Sequence, residues 1–92
     1  MLFNIHALDR TDAGDLRAET RSAHLEYMAG FDLTYAGPLL DEEGAMCGSL
    51  IVLEAEDLLE AEAFAAGDPY AVAGLFERVE IRGFRPVFGP GS

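Results

Sequence analysis

The chain has 92 residues, half of them hydrophobic and a quarter charged, which is the composition of one small globular domain. Seventeen acidic residues against six basic ones, all of them arginine, give a net charge of −11. A surface of that sign repels phosphate backbones and anionic lipids, so nucleic acids and membrane surfaces are excluded as expected partners. The absence of lysine also excludes Schiff-base chemistry and a P-loop.

Cysteine use and the N-terminus predict a cytoplasmic protein that associates with itself. Cys47 is the single cysteine, so no internal disulfide is possible, and no Cys/His pair has the spacing of a zinc site. The chain has no apolar run of about 18 residues and no signal-peptide pattern at its start. A chain this small buries only about 60 to 65 % of its unfolded surface, so oligomerisation is the expected extra source of stability.

The N-terminal part of the sequence predicts a strand followed by a helix. Residues 2–8 alternate, with Phe3 and Ile5 on one face and His6 on the other. Residues 13–29 carry apolar side chains at helical spacing and follow N-cap candidates at Thr11 and Asp12. The apolar stripe of this helix consists of Leu16, Thr20, Ala23 and Tyr27. His24 falls at the edge of that stripe, half inside and half outside.

The middle of the chain predicts a hairpin and a second helix. Residues 33–40 and 47–55 are compatible with strands and flank an acidic turn over 41–44 that ends in glycine. Residues 57–66 then have helical spacing and are followed by Gly67.

The C-terminal part predicts a short helix and a last strand. Asp68 followed by Pro69 is typical of a helix start, so a short helix is expected over 69–75. Residues 76–88 alternate as a strand, with Pro86 at its far edge or exit, and 89–92 form a tail.

Together these elements predict an α+β, ferredoxin-like βαββαβ fold with a short extra helix before the last strand. No repeat or linker interrupts residues 1–88, which are expected to form a single domain. In this fold both helices pack on one face of the sheet, so the other face would be exposed to solvent in a monomer. The last strand would place Phe76, Arg78 and Arg82 there, a mixed polar and aromatic surface. The sheet of a second copy is the simplest cover, which predicts a symmetric homodimer.

Two histidines are available for acid–base chemistry near neutral pH. His6 is expected to be a core or interface residue. The edge position of His24 suits a pocket residue, but it also suits a partly exposed helix histidine. Asp68 is expected to cap the short helix with one carboxylate oxygen and to leave the other oxygen free. The acidic run over 41–43 lacks a calcium-loop pattern, so no metal site is predicted.

Several short segments follow one another in a recognisable order. They are R-x-x-H at Arg21 and His24, A-G-P-L at 36–39, G-S-L-I at 48–51, D-P-Y at 68–70 and V-E-I-R at 79–82. In this order, over almost the whole chain, they resemble the YciI-like (YCII-related) family of small bacterial proteins. The resemblance implies a dimeric α/β barrel, in which two ferredoxin-like sheets pack face to face. It also implies a relation by fold to muconolactone isomerases.

The resemblance further implies a pocket with a functional His and Asp, which correspond to His24 and Asp68. In such a dyad the carboxylate orients one imidazole N–H while the other ring nitrogen moves a proton. Arg21 is the candidate to bind a substrate carboxylate, and Tyr70 and Ser49 are further candidates for substrate binding.

We therefore expect a cofactor-independent enzyme of isomerase, lyase or hydrolase type, acting on a small organic molecule such as an acid. The alternative is a non-catalytic dimeric ligand-binding or interaction module, in which the pair only holds the structure or a ligand. After its last strand the family often carries basic residues, whereas this sequence has Gly83, Phe84 and a single arginine, Arg85, which weakens the expectation of anion binding by the C-terminus. The distance between His24 and Asp68, and their access to a pocket, separate the two hypotheses.

Overall fold

The computed structural model describes residues 1–89, which form four strands and three helices. In chain order they are β1 (Leu2–Asp9), α1 (Leu16–Met28), β2 (Leu33–Leu40), β3 (Met46–Glu54), α2 (Leu58–Gly67), α3 (Pro69–Val72) and β4 (Phe76–Phe84). The strands form one sheet in the order β2-β3-β1-β4, and every neighbouring pair is antiparallel. This is the predicted α+β ferredoxin-like fold, with α3 as the extra helix. Of the predicted tail, 90–92 lie outside the described residues.

The core lies between the sheet and the two longer helices. Phe3 and Ile5 of β1 pair with Leu53 and Ile51 of β3, and all four side chains are buried on the same face. The cluster is completed by buried residues of α1, of α2 and of the segment before it: Met28, Ala55, Ala61 and Phe64. Each large apolar side chain buried in this way contributes about 1.5 to 3 kcal/mol relative to exposure.

The opposite sheet face, here called the open face, carries the alternate residues of the same strands. His6 lies there between Leu50 of β3 and Glu80 of β4, and it is exposed, on the side opposite Phe3 and Ile5. Leu2, Leu8 and Leu50 on this face are half-buried. The open face therefore mixes partly exposed leucines with charged side chains from β4.

No helix in residues 1–89 is long and apolar enough to cross a membrane.

The first helix is shorter than the one predicted over 13–29. Its N-cap is Asp15, not Thr11 or Asp12, and the Asp15 side chain makes no capping hydrogen bond. Gly14 has a φ of +59°, and this left-handed conformation is incompatible with a helix that continues towards the N-terminus. The first helical turn has no side-chain cap, but Arg17 within it is tied to the end of β1 by its ion pair with Asp9.

The inward face of α1 is rotated relative to the predicted apolar stripe. The buried residues of this helix are His24 and Met28, whereas Ala23, placed near the stripe centre, is exposed. The half-exposed position expected for His24 is wrong, because the residue is only 8 % exposed. A stripe drawn from apolar residues alone omits polar side chains that have a buried hydrogen-bond partner.

Two other elements end earlier than predicted. Helix α3 stops at Val72 instead of extending over 69–75, since Gly74 has a φ of +79° and ends the helical conformation. Strand β4 stops at Phe84 instead of 88, two residues before Pro86, which has no N–H to donate to a ladder. The segment after β4 is therefore an exit from the sheet.

Candidate active site

Helix α1 and the start of α3 bring His24 and Asp68 together across 44 positions of sequence. His24 Nδ1 lies 2.8 Å from Asp68 Oδ1, which is hydrogen-bond distance. Both side chains are largely shielded from solvent, with 11 % of His24 and 3 % of Asp68 exposed. A buried carboxylate beside an imidazole favours a proton on the facing ring nitrogen, so that Nδ1–H donates to Asp68 and Nε2 is left as an acceptor.

The same carboxylate oxygen caps α3. The backbone N–H of Tyr70 donates to Asp68 Oδ1 at 3.0 Å, as expected for an N-cap aspartate before Pro69. The cap uses one carboxylate oxygen, as expected, and that same Oδ1 also contacts His24. The position of the imidazole is thereby tied to the first turn of α3.

Tyr70 holds the imidazole from a second direction. Its ring is stacked on His24, with ring centroids 4.0 Å apart and planes inclined by 17°. The guanidinium carbon of Arg17 lies 4.6 Å from the Tyr70 ring centroid, within cation–π range. Burial raises the pKa of the Tyr70 hydroxyl, although the positive charges of Arg17 and Arg21 act in the opposite direction. Tyr70 is therefore a neutral, packed side chain that fixes the plane of His24.

Arg17 is anchored by Asp9, the last residue of β1. Arg17 Nε and Nη2 donate to the two carboxylate oxygens of Asp9, each at 2.7 Å, and only 11 % and 12 % of the two side chains are exposed. Nη2 also donates to Ser49 Oγ at 3.0 Å. Burial disfavours the charged guanidinium, but the hydrogen bonds and charge of Asp9 outweigh it and raise the pKa of Arg17.

A cavity of about 320 Å³ lies in front of these residues, between α1 and the β2–β3 hairpin. Its polar lining consists of Arg17, Arg21, His24, Ser49 and Tyr70, and the remaining lining residues are apolar or glycine. No carboxylate is among its described lining residues, although the chain has 17 acidic residues. The cavity wall therefore carries two guanidinium groups and no carboxylate, although Asp9 is paired with Arg17 and Asp68 lies behind His24.

Arg21 differs from Arg17 in having no internal partner. It is exposed on α1, and it forms no ion pair or side-chain hydrogen bond within residues 1–89. An unpaired guanidinium at the wall of a cavity can bind a carboxylate or another planar anion with two parallel hydrogen bonds.

The structure thus places the five predicted site residues together: Arg21, His24, Ser49 and Tyr70 line the cavity, and Asp68 lies behind His24. Sequence reasoning missed Asp9 and the anchored position of Arg17. One signal was present, because Arg17, Arg21 and His24 follow the i, i+4, i+7 spacing of one helix face. Within residues 1–89, no group of three or more His, Cys, Asp or Glu side chains is placed to hold a metal ion.

Comparison with known proteins gives matches over almost the whole chain. The model of the YCII-related domain matches residues 1–85. Protein YciI of Escherichia coli is 36 % identical over 96 % of this chain and 100 % of its own length. A Haemophilus influenzae protein is 32 % identical over the same shares.

One similar solved structure is that of an enzyme. It is TftG, the 5-chloro-2-hydroxyhydroquinone dehydrochlorinase of Burkholderia phenoliruptrix, in complex with 2,5-dihydroxybenzoquinone. It has a TM-score of 0.85 and 30 % sequence identity to this chain, and the match covers 92 % of this chain and 94 % of that one.

Proposed function

This chain belongs to the YCII-related family, and from that membership we propose that it is a cofactor-independent acid–base enzyme acting on a small organic anion. The observation that carries the proposal is that His24 contacts both Asp68 and the cavity. One ring nitrogen faces the buried Asp68 carboxylate, and the imidazole also lines a cavity with two arginines. A similar fold with 30 % identity belongs to an enzyme, the dehydrochlorinase TftG, which supports catalysis over a purely structural pair.

In the proposed mechanism His24 is the general base. With its Nδ1–H held by Asp68, the Nε2 lone pair takes a proton from a hydroxyl or acidic C–H group of the substrate. The bond to hydrogen breaks, an N–H bond forms, and the electron pair stays on the substrate. The Asp68 carboxylate stabilises the imidazolium that results, and His24 can return the proton to a leaving group or another substrate atom. Such proton transfer contributes about 10² to 10⁴-fold in rate.

The cavity supports a ring-sized substrate with acidic character. Its volume of about 320 Å³ lies at the lower end of the range for small-molecule sites. Unpaired Arg21 is proposed to bind the negative charge, while apolar side chains such as Leu25 and Met28 contact the carbon skeleton. TftG binds 2,5-dihydroxybenzoquinone, so hydroxylated ring compounds are the first class to test.

The homodimer is part of the proposal. Leu2, Leu8 and Leu50 on the open face are half-buried in the single chain, and Arg78 and Glu80 beside them form an ion pair at 3.1 Å. Pairing two open faces would bury these leucines and form the dimeric α/β barrel expected for the family. Sedimentation should give a dimer at micromolar concentration, and Leu50→Arg should give a monomer. A wild-type monomer would contradict this part of the proposal.

The enzyme proposal is tested by chloride release from 5-chloro-2-hydroxyhydroquinone under anaerobic conditions. Loss of HCl needs two proton movements. One hydroxyl first becomes a C=O group as its proton is lost and a proton is added to the chlorine-bearing ring carbon, and a second hydroxyl then gives its proton to His24 while its electron pair forms another C=O bond and the C–Cl bond breaks to release chloride. We expect acceleration by the wild type and by Ser22→Ala, a control on the exposed side of α1. His24→Gln should lose about 10² to 10⁴-fold in rate. Equal rates for wild type and His24→Gln contradict the proposal, and binding without turnover would favour the ligand-binding module.

A further inference from the structure

We propose that Asp9 and Arg17 fix the Ser49 hydroxyl as a hydrogen-bond donor to a substrate oxygen in the cavity. The inference rests on the proposed function and extends it, because it names a substrate-binding atom and the residues that set its polarity. Ser49 would contact the substrate, and Arg17 would be a positioning residue that acts through Ser49.

Whether the Ser49 hydroxyl donates or accepts a hydrogen bond in the cavity is determined by its neighbour, Arg17. A serine hydroxyl both donates and accepts, whereas a guanidinium has five N–H donors and no acceptor. Arg17 Nη2 donates to Ser49 Oγ at 3.0 Å, so this contact uses a lone pair of Ser49 and leaves its proton unused. No side chain or backbone group of residues 1–89 accepts that proton, and Ser49 lines the cavity while only 3 % exposed. The remaining direction for donation is into the cavity.

The guanidinium cannot easily rotate away from this arrangement. Its two 2.7 Å hydrogen bonds to Asp9 fix its plane, and its position over the Tyr70 ring restricts it further. Ser49 itself lies on β3 opposite Ala7 of β1, in the regular part of the sheet. Donor and acceptor are therefore both held by rigid elements, as required for a preorganised site.

The cavity then presents complementary groups to one ligand. All three residues line the cavity. In the proposed arrangement His24 Nε2 accepts the substrate proton, the Ser49 hydroxyl donates a hydrogen bond, and Arg21 supplies positive charge. This set fits a ring compound that carries an acidic hydroxyl and a carbonyl or ionised oxygen, as in a hydroxyquinone or an enol. When His24 takes the hydroxyl proton, negative charge spreads onto the conjugated oxygen that Ser49 contacts, so its hydrogen bond strengthens as the reaction proceeds.

The test is the dissociation constant of 2,5-dihydroxybenzoquinone, measured by calorimetry, together with turnover of the chlorinated substrate. Ser49→Ala changes little in size and should weaken binding about tenfold, while Ser22→Ala should leave it unchanged. Arg17→Gln offers an amide oxygen that can accept the Ser49 proton, so it should also weaken binding. Arg17→Lys only donates, so its affinity should stay nearer to wild type.

A double-mutant cycle distinguishes positioning from a merely structural role. If Arg17 acts through Ser49, Arg17→Gln should add little to the loss already caused by Ser49→Ala. Additive losses, wild-type affinity in Ser49→Ala, or no binding to the wild type would each overturn the inference. His24→Gln keeps the inference separate from the proposed function, since it should lose turnover yet bind the quinone within a few-fold of wild type. If Arg17 variants do not fold, Ser49→Ala alone decides.

Discussion

His24 and Asp68 meet through one oxygen that already has a structural task. Asp68 Oδ1 lies 2.8 Å from His24 Nδ1 and 3.0 Å from the Tyr70 backbone nitrogen, whose N–H it accepts. A change at Asp68 therefore alters the start of α3 and the environment of the imidazole together. Asp68→Asn keeps the oxygen but removes the charge, so it separates the effect on the start of α3 from the effect on the imidazole.

The capping task predicts different stabilities for two Asp68 variants. Asp68→Ala removes the cap and should lower the free energy of unfolding by about 0.5 to 2 kcal/mol, since the Tyr70 N–H loses its partner. Asp68→Asn keeps an oxygen at the same place, and asparagine is an equally good N-cap, so it should stay closer to wild type. Urea unfolding measures both values. Equal stability of Asp68→Ala and wild type would contradict the capping role.

The burial of His24 predicts that its removal destabilises the fold. In His24→Ala the buried Asp68 loses a partner and the Tyr70 ring loses the surface on which it stacks. The cost should be about 1 to 3 kcal/mol, the usual penalty for a buried polar group left unpaired. His24→Gln carries an amide donor and should cost less. Denaturant melts of the two variants check this order, and an unchanged midpoint for His24→Ala would contradict it.

Tyr70, which is buried, and Tyr27, which is partly buried, predict a loss of stability in alkali. Burial raises the pKa of Tyr70 and of Tyr27 above the ordinary value of 10.0, and the Asp68 charge also raises both. Below pH 10 these phenols are neutral in both states and do not make stability depend on pH. Above it the unfolded chain ionises first, so the free energy of unfolding falls until the pH exceeds the folded pKa values.

Absorbance of tyrosinate against pH, with unfolding melts at each pH, measures this effect. Tyr70→Phe should remove one late-ionising phenol and flatten the fall in stability above pH 10. If wild type and Tyr70→Phe lose stability equally over that range, Tyr70 is not the group responsible.

Arg21 predicts a loss of ligand affinity without a loss of stability. Its guanidinium is exposed and forms no ion pair within residues 1–89, so Arg21→Gln should change the free energy of unfolding by less than about 0.5 kcal/mol. Binding of an anionic ring compound should weaken several-fold and become less sensitive to salt. Arg85→Gln is the matched control, because Arg85 is also exposed, forms no ion pair within residues 1–89 and does not line the cavity beside His24. Wild-type affinity in Arg21→Gln would exclude Arg21 as the anion-binding group.

Periodicity and turn residues predicted the order of elements, because the strands alternate and each helix has a start or stop signal. The β2 boundaries agree with the prediction over 33–40, since a turn closed by Gly44, with a φ of +82°, fixes where the hairpin reverses. The start of α1 could not be predicted from its capping residues. Thr11 and Asp12 are good N-cap residues by type, but Gly14 adopts a left-handed conformation after them and the helix begins later.

The site was only partly predictable because its contacts are distant in sequence. Asp68 was identifiable as a cap from Pro69 alone, and the family resemblance pointed to His24. The Arg17–Asp9 pair joins α1 to the end of β1, and its burial depends on how the helix lies over β3. Helical spacing puts both Arg17 and Arg21 on the same face as His24. No local sequence pattern shows which of the two arginines forms an ion pair with a buried carboxylate. The structure pairs Arg17 and leaves Arg21 without an ion-pair partner in residues 1–89.

The most direct test of the proposed dyad is kcat of Asp68→Asn on 5-chloro-2-hydroxyhydroquinone at saturating concentration. The amide keeps the cap and the shape of the site but cannot stabilise an imidazolium, and this interaction matters chiefly in the transition state. We predict that kcat falls at least about 10²-fold while KM changes little and the protein remains folded. A folded Asp68→Asn protein with the wild-type kcat would contradict the assignment of His24 and Asp68 as an acid–base pair.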